Sequence, residues 1–161
     1  LNYIFVKVKM RFLKTIRELI NVVTLFEKIS YPHLRSIGLT TGQFDVIATL
    51  GNQPPMTCKE LAENTLMLKG NLTVVLNSLL KKELISRKEN PDDKRSVLIA
   101  LTTTGEELFQ KSFPEHKQYL EPICSQFDNI EMDQLQQELY AIRMKLEKYL
   151  NSNLTEGNHH E

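Results

Sequence analysis

Asp93 and Arg95 stand two residues apart inside Asn90-Pro91-Asp92-Asp93-Lys94-Arg95, where two acids and two bases lie side by side. An arginine at such a tip offers five N–H donors and a permanent charge, which suits phosphate oxygens or an electronegative groove. A second group lies upstream. Gly70, Thr73, Val74, Asn77 and Lys81 recur at helical spacing, with Lys69 and Asn71 beside them. They make a face that is small, polar and lightly basic. Asparagine amides match adenine, and threonine or valine methyls match the thymine methyl, so this face carries groups that can read base edges. Lys59, Lys69, Lys81, Lys88 and Lys94 are candidates for phosphate neutralisation.

Other reactive residues are sparse. Cys58 and Cys124 are the only cysteines, with no C-x-x-C pair. That pattern fits a reducing cytoplasm and argues against a disulfide scaffold. Cys58 follows a helix cap, where a thiol can become reactive; the alternative is a plain packing residue. Cys124 is expected to be a small core residue. His33 and His116 lack metal-ligand spacing, so no metal and no cofactor is expected, and His116 reads as an interface or pocket histidine. His159 and His160 fall in a polar tail. G-x-S-x-G, P-loop, G-x-G-x-x-G and H-E-x-x-H motifs are all absent, so no enzyme is expected.

The elements that must position these residues follow from periodicity. Phe12, Ile16, Leu19, Ile20, Val23 and Phe26 form a helical stripe, widened by Val22, Leu25 and Ile29. So apolar a helix needs more than one neighbour. Tyr31-Pro32 is expected to end it. Thr40 or Thr41 can cap a helix that carries Phe44, Ile47 and Leu50 and stops at Gly51. Thr57 and Glu60 form a capping box for a short helix. After a turn at residues 65–67, a helix from Lys69 to about Lys82 turns Leu72, Leu76 and Leu79 inward. Residues 84–102 read as a β-hairpin, with Val97, Ile99 and Leu101 on one face and the turn at Asn90–Asp93. A long helix starts at Thr103, and Pro114 and Pro122 are expected to kink or interrupt it. Asp128 caps a last helix. There Met132, Leu135, Leu139, Ile142, Leu146 and Tyr149 alternate by three and four residues, an a/d seam whose partner lies either in the same chain or in a second copy. Residues 151–161 are expected to be a disordered tail.

Length and composition allow one globular domain with extra helices. Formal net charge is zero but uneven. Residues 1–35 hold seven Lys/Arg against two acids, residues 69–103 seven against four, and residues 104–161 five against eleven. A basic middle between differently charged flanks fits nucleic-acid contact, although a solvated face gives a similar count. No stretch is long and apolar enough to span a membrane. The first ten residues are broken by lysines and lack a small-residue cleavage site, so no signal peptide is expected, and Met10 is a candidate start.

Two helices, a turn and a hairpin make a winged helix-turn-helix. Residues 39–108 resemble one family in particular. LTTGQFDVIATL, TCKELAEN, KGNLTVVLNSLLKKELISRK and DDKRSVLIALTTTGEEL look like successive blocks of the multiple antibiotic resistance regulator (MarR) family. The most specific piece is Asp93-x-Arg95 followed by Leu101-Thr102-x-x-Gly105. The resemblance implies a mainly α (α+β) fold: a winged helix-turn-helix DNA-binding lobe at 37–103, and helical dimerisation segments at 1–36 and 104–150. It implies a cytoplasmic homodimer, a transcriptional regulator and by family default a repressor, that binds a pseudo-palindromic operator in double-stranded DNA. Its effector would be a small aromatic acid or phenol, held near the end of the first helix and the start of the fifth.

Carried over, Lys69, Gly70, Asn71, Thr73, Val74 and Asn77 meet DNA on the recognition helix, where Lys81 is a phosphate contact by its charge. Lys88, Asp93, Lys94 and Arg95 belong to the wing, with Asp93 holding Arg95 toward the minor groove. Phe12, Ile16, Leu19, Val23, Leu135, Leu139, Ile142 and Leu146 would pack between subunits. The sequence departs from the family pattern in three places: Glu83 replaces a helix-terminating Gly, residues 65–67 lack a Gly, and Val74 and Ser78 stand where some members carry Arg. An A/T-leaning operator follows from these residues. The rival reading is a winged-helix module for protein interaction without DNA binding.

Overall fold

Buried leucines, isoleucines and a valine hold the wing and its helices together. In the computed structural model Leu39, Val46, Ile47, Leu50, Leu61, Leu72, Leu76, Leu79, Leu84, Ile85, Ile99 and Phe109 form one cluster. Each such side chain taken from water contributes about 1.5–3 kcal/mol before entropy is set against it. The structure describes residues 2–65, 67 and 69–156, with side chains left aside at 2–9, 69 and 154–156. The elements are α1 (Asn2–Ser36), α2 (Thr41–Leu50), β1 (Met56–Thr57), α3 (Cys58–Asn64), α4 (Lys69–Lys81), β2 (Ile85–Glu89), β3 (Val97–Leu101), α5 (Thr103–Cys124) and α6 (Asn129–Glu156). Contacts divide the chain into two compact units, Leu1–Tyr119 and Leu120–Glu161.

The local start signals work as the sequence predicts. Thr40 and Gln43 form one capping box, Thr57 and Glu60 another. The Thr57 backbone N–H and hydroxyl both donate to the Glu60 carboxylate, which holds its pKa below the usual carboxylate value. The Asp128 carboxylate accepts the Ile130 and Glu131 N–H groups at the start of α6. The sheet has the antiparallel order β1-β3-β2. Its third strand, β1, is unforeseen. Two residues are too few for periodicity to show, and only the pairing of Met56 with Ile99 and Thr57 with Leu98 defines it.

Several expectations are corrected. α1 does not stop at Tyr31-Pro32 but runs on to Ser36. The turn around Pro32 is anchored from outside: Leu34 is buried, Ser30 bonds His116, and the Tyr119 hydroxyl donates to the Ile29 carbonyl. Those contacts outweigh the local cost of proline. α5 is likewise continuous through Pro114 and Pro122. Pro114 lies on the exposed side, where water can satisfy the carbonyl it frees, while Phe109, Ser112 and His116 bury the opposite side on both turns. Cys124 is exposed rather than core. α6 passes Leu150 and reaches Glu156, so the expected tail is helical up to there, and residues 157–161 lie outside the described residues.

Val97, Ile99 and Leu101 share a face unevenly: Ile99 is sealed, Leu101 half-buried and Val97 exposed toward the hairpin tip.

Glu83, standing where the family has a helix-terminating Gly, takes the left-handed conformation, with φ 57°. The Leu84 N–H reaches back to the Leu79 carbonyl and the Glu83 N–H to the Leu80 carbonyl, closing α4. The Leu101-Thr102-x-x-Gly105 piece then locks this corner. The Thr102 hydroxyl donates to the Glu83 carbonyl at 2.7 Å and accepts the Gly105 N–H at 3.0 Å. A Cβ on Gly105 would lie 1.9 Å from the Leu84 carbonyl oxygen, so only glycine fits. Gly51 is a different case. Its φ is −60°, and a Cβ there would meet the Phe109 ring at 2.4 Å, so the ring would have to shift; the left-handed residue is the following Asn52.

Candidate nucleic-acid interface

α4 turns Leu72, Leu76 and Leu79 into the core, and that fixes what faces out. Gly70, Asn71, Thr73, Val74, Asn77 and Lys81 are all exposed, Val74 at 70%. An isolated apolar side chain this bare, between Asn71 and Asn77, suits contact with a thymine methyl. Lys69 opens the helix, and its side chain lies outside the described residues. Of the expected turn at 65–67, Leu66 also lies outside them. Ser78 does not face outward: it is half-buried and accepts a hydrogen bond from the Gln43 amide at 2.8 Å. The lack of Arg there therefore says little about base reading. Lys82 ties the end of α4 back to the Gly38 carbonyl and to Gln43.

The hairpin tip is built by short-range bonds. The Asn90 carboxamide oxygen accepts the Asp92 N–H, and its amide donates to Ser96. The Ser96 N–H closes the turn on the Asp93 carbonyl. The Asp93 carboxylate accepts the Arg95 backbone N–H at 3.0 Å. Asp93 thus holds the Arg95 backbone, while the guanidinium makes no ion pair among the described residues. Lys88, Lys94 and Arg95 are exposed.

Residue type alone does not separate Arg87 from its basic neighbour Lys88, and Arg87 is not among the wing residues expected above. In the β2–β3 ladder Arg87 pairs with Ile99 and Lys88 with Leu98. Cross-strand partners share a face, so Arg87 lies on the side of the sealed Ile99 and Lys88 on the other. The Arg87 guanidinium donates to the Asn77 carboxamide oxygen at 3.3 Å. The two-residue phase with buried Ile85 was the available signal.

A second polar cluster lies where α1, α2 and α5 meet. His116, 6% exposed, bonds Ser30 through Nε2 at 2.9 Å and His33 through Nδ1 at 3.0 Å. Phe44 approaches it edge-on at 4.8 Å, and Tyr119 stacks on His33 at 4.9 Å. Burial, and then the nearby His33, lower the His116 pKa below its usual value. Among the described residues no three His, Cys, Asp or Glu converge on a metal-sized site, and no helix is long and apolar enough to cross a membrane. Cys58 is exposed in the first turn of α3.

On α1, Phe12 and Val23 are exposed, and Ile16 and Leu19 half-exposed. On α6, Leu135 and Leu146 are exposed, and Leu139 and Ile142 half-exposed.

A helix-turn-helix whose second helix bares a polar face, followed by a cationic hairpin, defines a winged-helix DNA-binding protein. Comparison narrows the class. The MarR family model matches residues 39–97. An HTH-type transcriptional regulator of Bacillus cereus is 30% identical over 131 residues, spanning 81% of this chain and 85% of that protein. AbsC, a MarR family transcriptional regulator from Streptomyces coelicolor, has a similar fold, with TM-score 0.75 and 21% identity over 83% of this chain and 93% of its own. A cysteine-to-serine variant of MarR from E. coli, complexed with operator DNA, gives TM-score 0.68 and 25% identity over 80% of this chain and 93% of its own. The chain belongs to the MarR family of transcriptional regulators.

Proposed function

We infer that the chain is a homodimeric repressor that binds a pseudo-palindromic operator in the cytoplasm and is released by a small effector. The observation that carries DNA reading is the joint exposure of the α4 face and the Arg95 side chain, with Arg95 anchored through its backbone N–H on Asp93. In this reading Asn71 and Asn77 address adenine, Thr73 and Val74 address thymine methyls, and Arg95 enters a narrow A/T minor groove. Lys59, Lys69, Lys81, Lys88 and Lys94 neutralise phosphates. The similar fold of the E. coli MarR variant crystallised with operator DNA supports DNA binding.

Dimerisation is supported by the large apolar side chains bared along both long helices, more than an isolated domain usually exposes. Residues 1–36 and 104–150 then form the dimer base, and 37–103 the reading lobe. Two lobes related by a dyad require half-sites about one helical turn apart.

An aromatic acid or phenol as effector is supported by the cluster of Ser30, His33, Phe44, His116 and Tyr119, which joins hydrogen-bonding groups to ring faces. The groove of about 750 Å³ at the start of α5 is a poorer place for an acid, because Glu106 and Glu107 line it.

The test is Arg95→Ala, assayed by fluorescence anisotropy on duplex DNA over a salt series. Affinity should fall, and the log–log salt slope should shrink by about one, with the dimer intact by light scattering. Unchanged affinity would refute the wing assignment. A parent chain whose binding shows no salt dependence would favour the interaction module instead. Equal affinity for GC-rich and AT-rich half-sites would reject the A/T preference.

A further inference from the structure

We propose that Arg87 is a positioning residue for base reading: it sets the orientation in which Asn77 meets DNA. This rests on the reading of Asn77 as a base contact. The placement of Arg87 follows from the ladder. Its cross-strand partner Ile99 is fully buried, and Ile85, two residues earlier, is 2% exposed. Arg87 therefore leaves the sheet on its core side, against which α4 packs. The Arg87 side chain is exposed, and its guanidinium meets the Asn77 carboxamide oxygen on the outer face of α4.

The chemistry of an asparagine contact makes this bond consequential. To pair with adenine, the amide must offer its oxygen to N6–H and its nitrogen to N7 at the same time. A bare asparagine amide can turn over, which exchanges donor and acceptor. The Arg87 guanidinium has donors only, so it selects the Asn77 carboxamide oxygen and turns the NH₂ away. The oxygen has a second lone pair, which remains for adenine. Arginine suits the task because its charge cannot be lost and its donor fork is planar and rigid. Fixing Asn77 before DNA arrives removes an ordering cost from the complex with the matching base.

The experiment uses the full chain and the tightest duplex selected from a randomised library. Each base pair facing α4 is replaced in turn, and affinities are measured for the parent, Asn77→Ala, Arg87→Met, Arg87→Lys and the Asn77→Ala/Arg87→Met double variant. Methionine keeps the stem and removes the donors; lysine keeps the charge without the planar fork. Asn77→Ala should flatten discrimination at one A·T pair, about ten-fold by the usual worth of a bidentate contact. Arg87→Met should lose most of that discrimination at the same pair and little elsewhere, with the double variant no worse than Asn77→Ala alone. Arg87→Lys should restore it only in part.

Additive losses in the double variant overturn the proposal. So does a loss uniform across all pairs with a smaller salt slope, which would make Arg87 a phosphate anchor. If Asn77→Ala costs discrimination and Arg87→Met does not, positioning alone fails. If Asn77→Ala costs none, the reading of Asn77 fails and takes the proposal with it. Far-ultraviolet circular dichroism of each variant separates binding loss from unfolding.

Discussion

Glu83 offers a clean measurement of local strain at the corner between recognition helix and wing. Its φ of 57° places an L side chain in the left-handed region, next to the bonds that close α4. The crowding of Cβ there costs about 1–2 kcal/mol. Glycine removes that cost but surrenders about 0.5–1 kcal/mol through its freer unfolded chain. Glu83→Gly should therefore stabilise the protein by about 1 kcal/mol, or about 3 °C in Tm for a chain of this size. Urea denaturation followed by circular dichroism, at one fixed protein concentration, reads the difference, and Glu83→Ala is the control. Alanine keeps Cβ and so keeps the strain; it should sit close to the parent. Asn52 shares the same φ, yet asparagine tolerates this region well, so Asn52→Gly should gain less. If Glu83→Gly is neutral or destabilising, or if Glu83→Ala gains as much, strain at Cβ is not what this corner stores.

Gly105→Ala should cost about 3 kcal/mol, because its Cβ would meet the Leu84 carbonyl oxygen, a backbone atom held in the same corner; a loss under about 1 kcal/mol in urea would show that the corner can yield. His116 should make the protein acid-sensitive. Its folded pKa lies below the ordinary 6.5, so the unfolded chain binds a proton that the folded chain resists. Its stabilisation is present above the unfolded pKa and is lost as pH falls through the folded one. Urea midpoints for the parent should drop from pH 7.5 to pH 5.5 more than those for His116→Gln, and equal drops would exclude His116 as the cause. Leu139→Lys with Ile142→Lys should convert a dimer into a monomer by sedimentation velocity at micromolar concentration; a parent chain that is already monomeric would remove the dimer reading.

What could be read from sequence was decided within a few residues of chain. The two capping boxes pair residues three apart, and the Asn90–Ser96 turn closes over six. The outward face of α4 followed from three leucines at helical spacing, and the left-handed Glu83 from its place at the end of that helix. Such features depend on backbone sterics and nearest neighbours, so residue type and order suffice.

Residues far apart settled the rest. Proline alone argues for ending α1 at Tyr31, but bonds from Ser30 and His33 to His116, 86 and 83 residues away, draw the last turn onto α5. Arg87 and Lys88 look equivalent as neighbouring basic residues. Only strand register sends one toward Asn77 and the other to the opposite face. Sequence alone therefore determined the reading helix, the turn of the wing and the Asp93–Arg95 tip. The tertiary structure decided which prolines are tolerated and which cation reaches the recognition helix. Those outcomes rest on contacts whose energy is gained only once distant segments have packed.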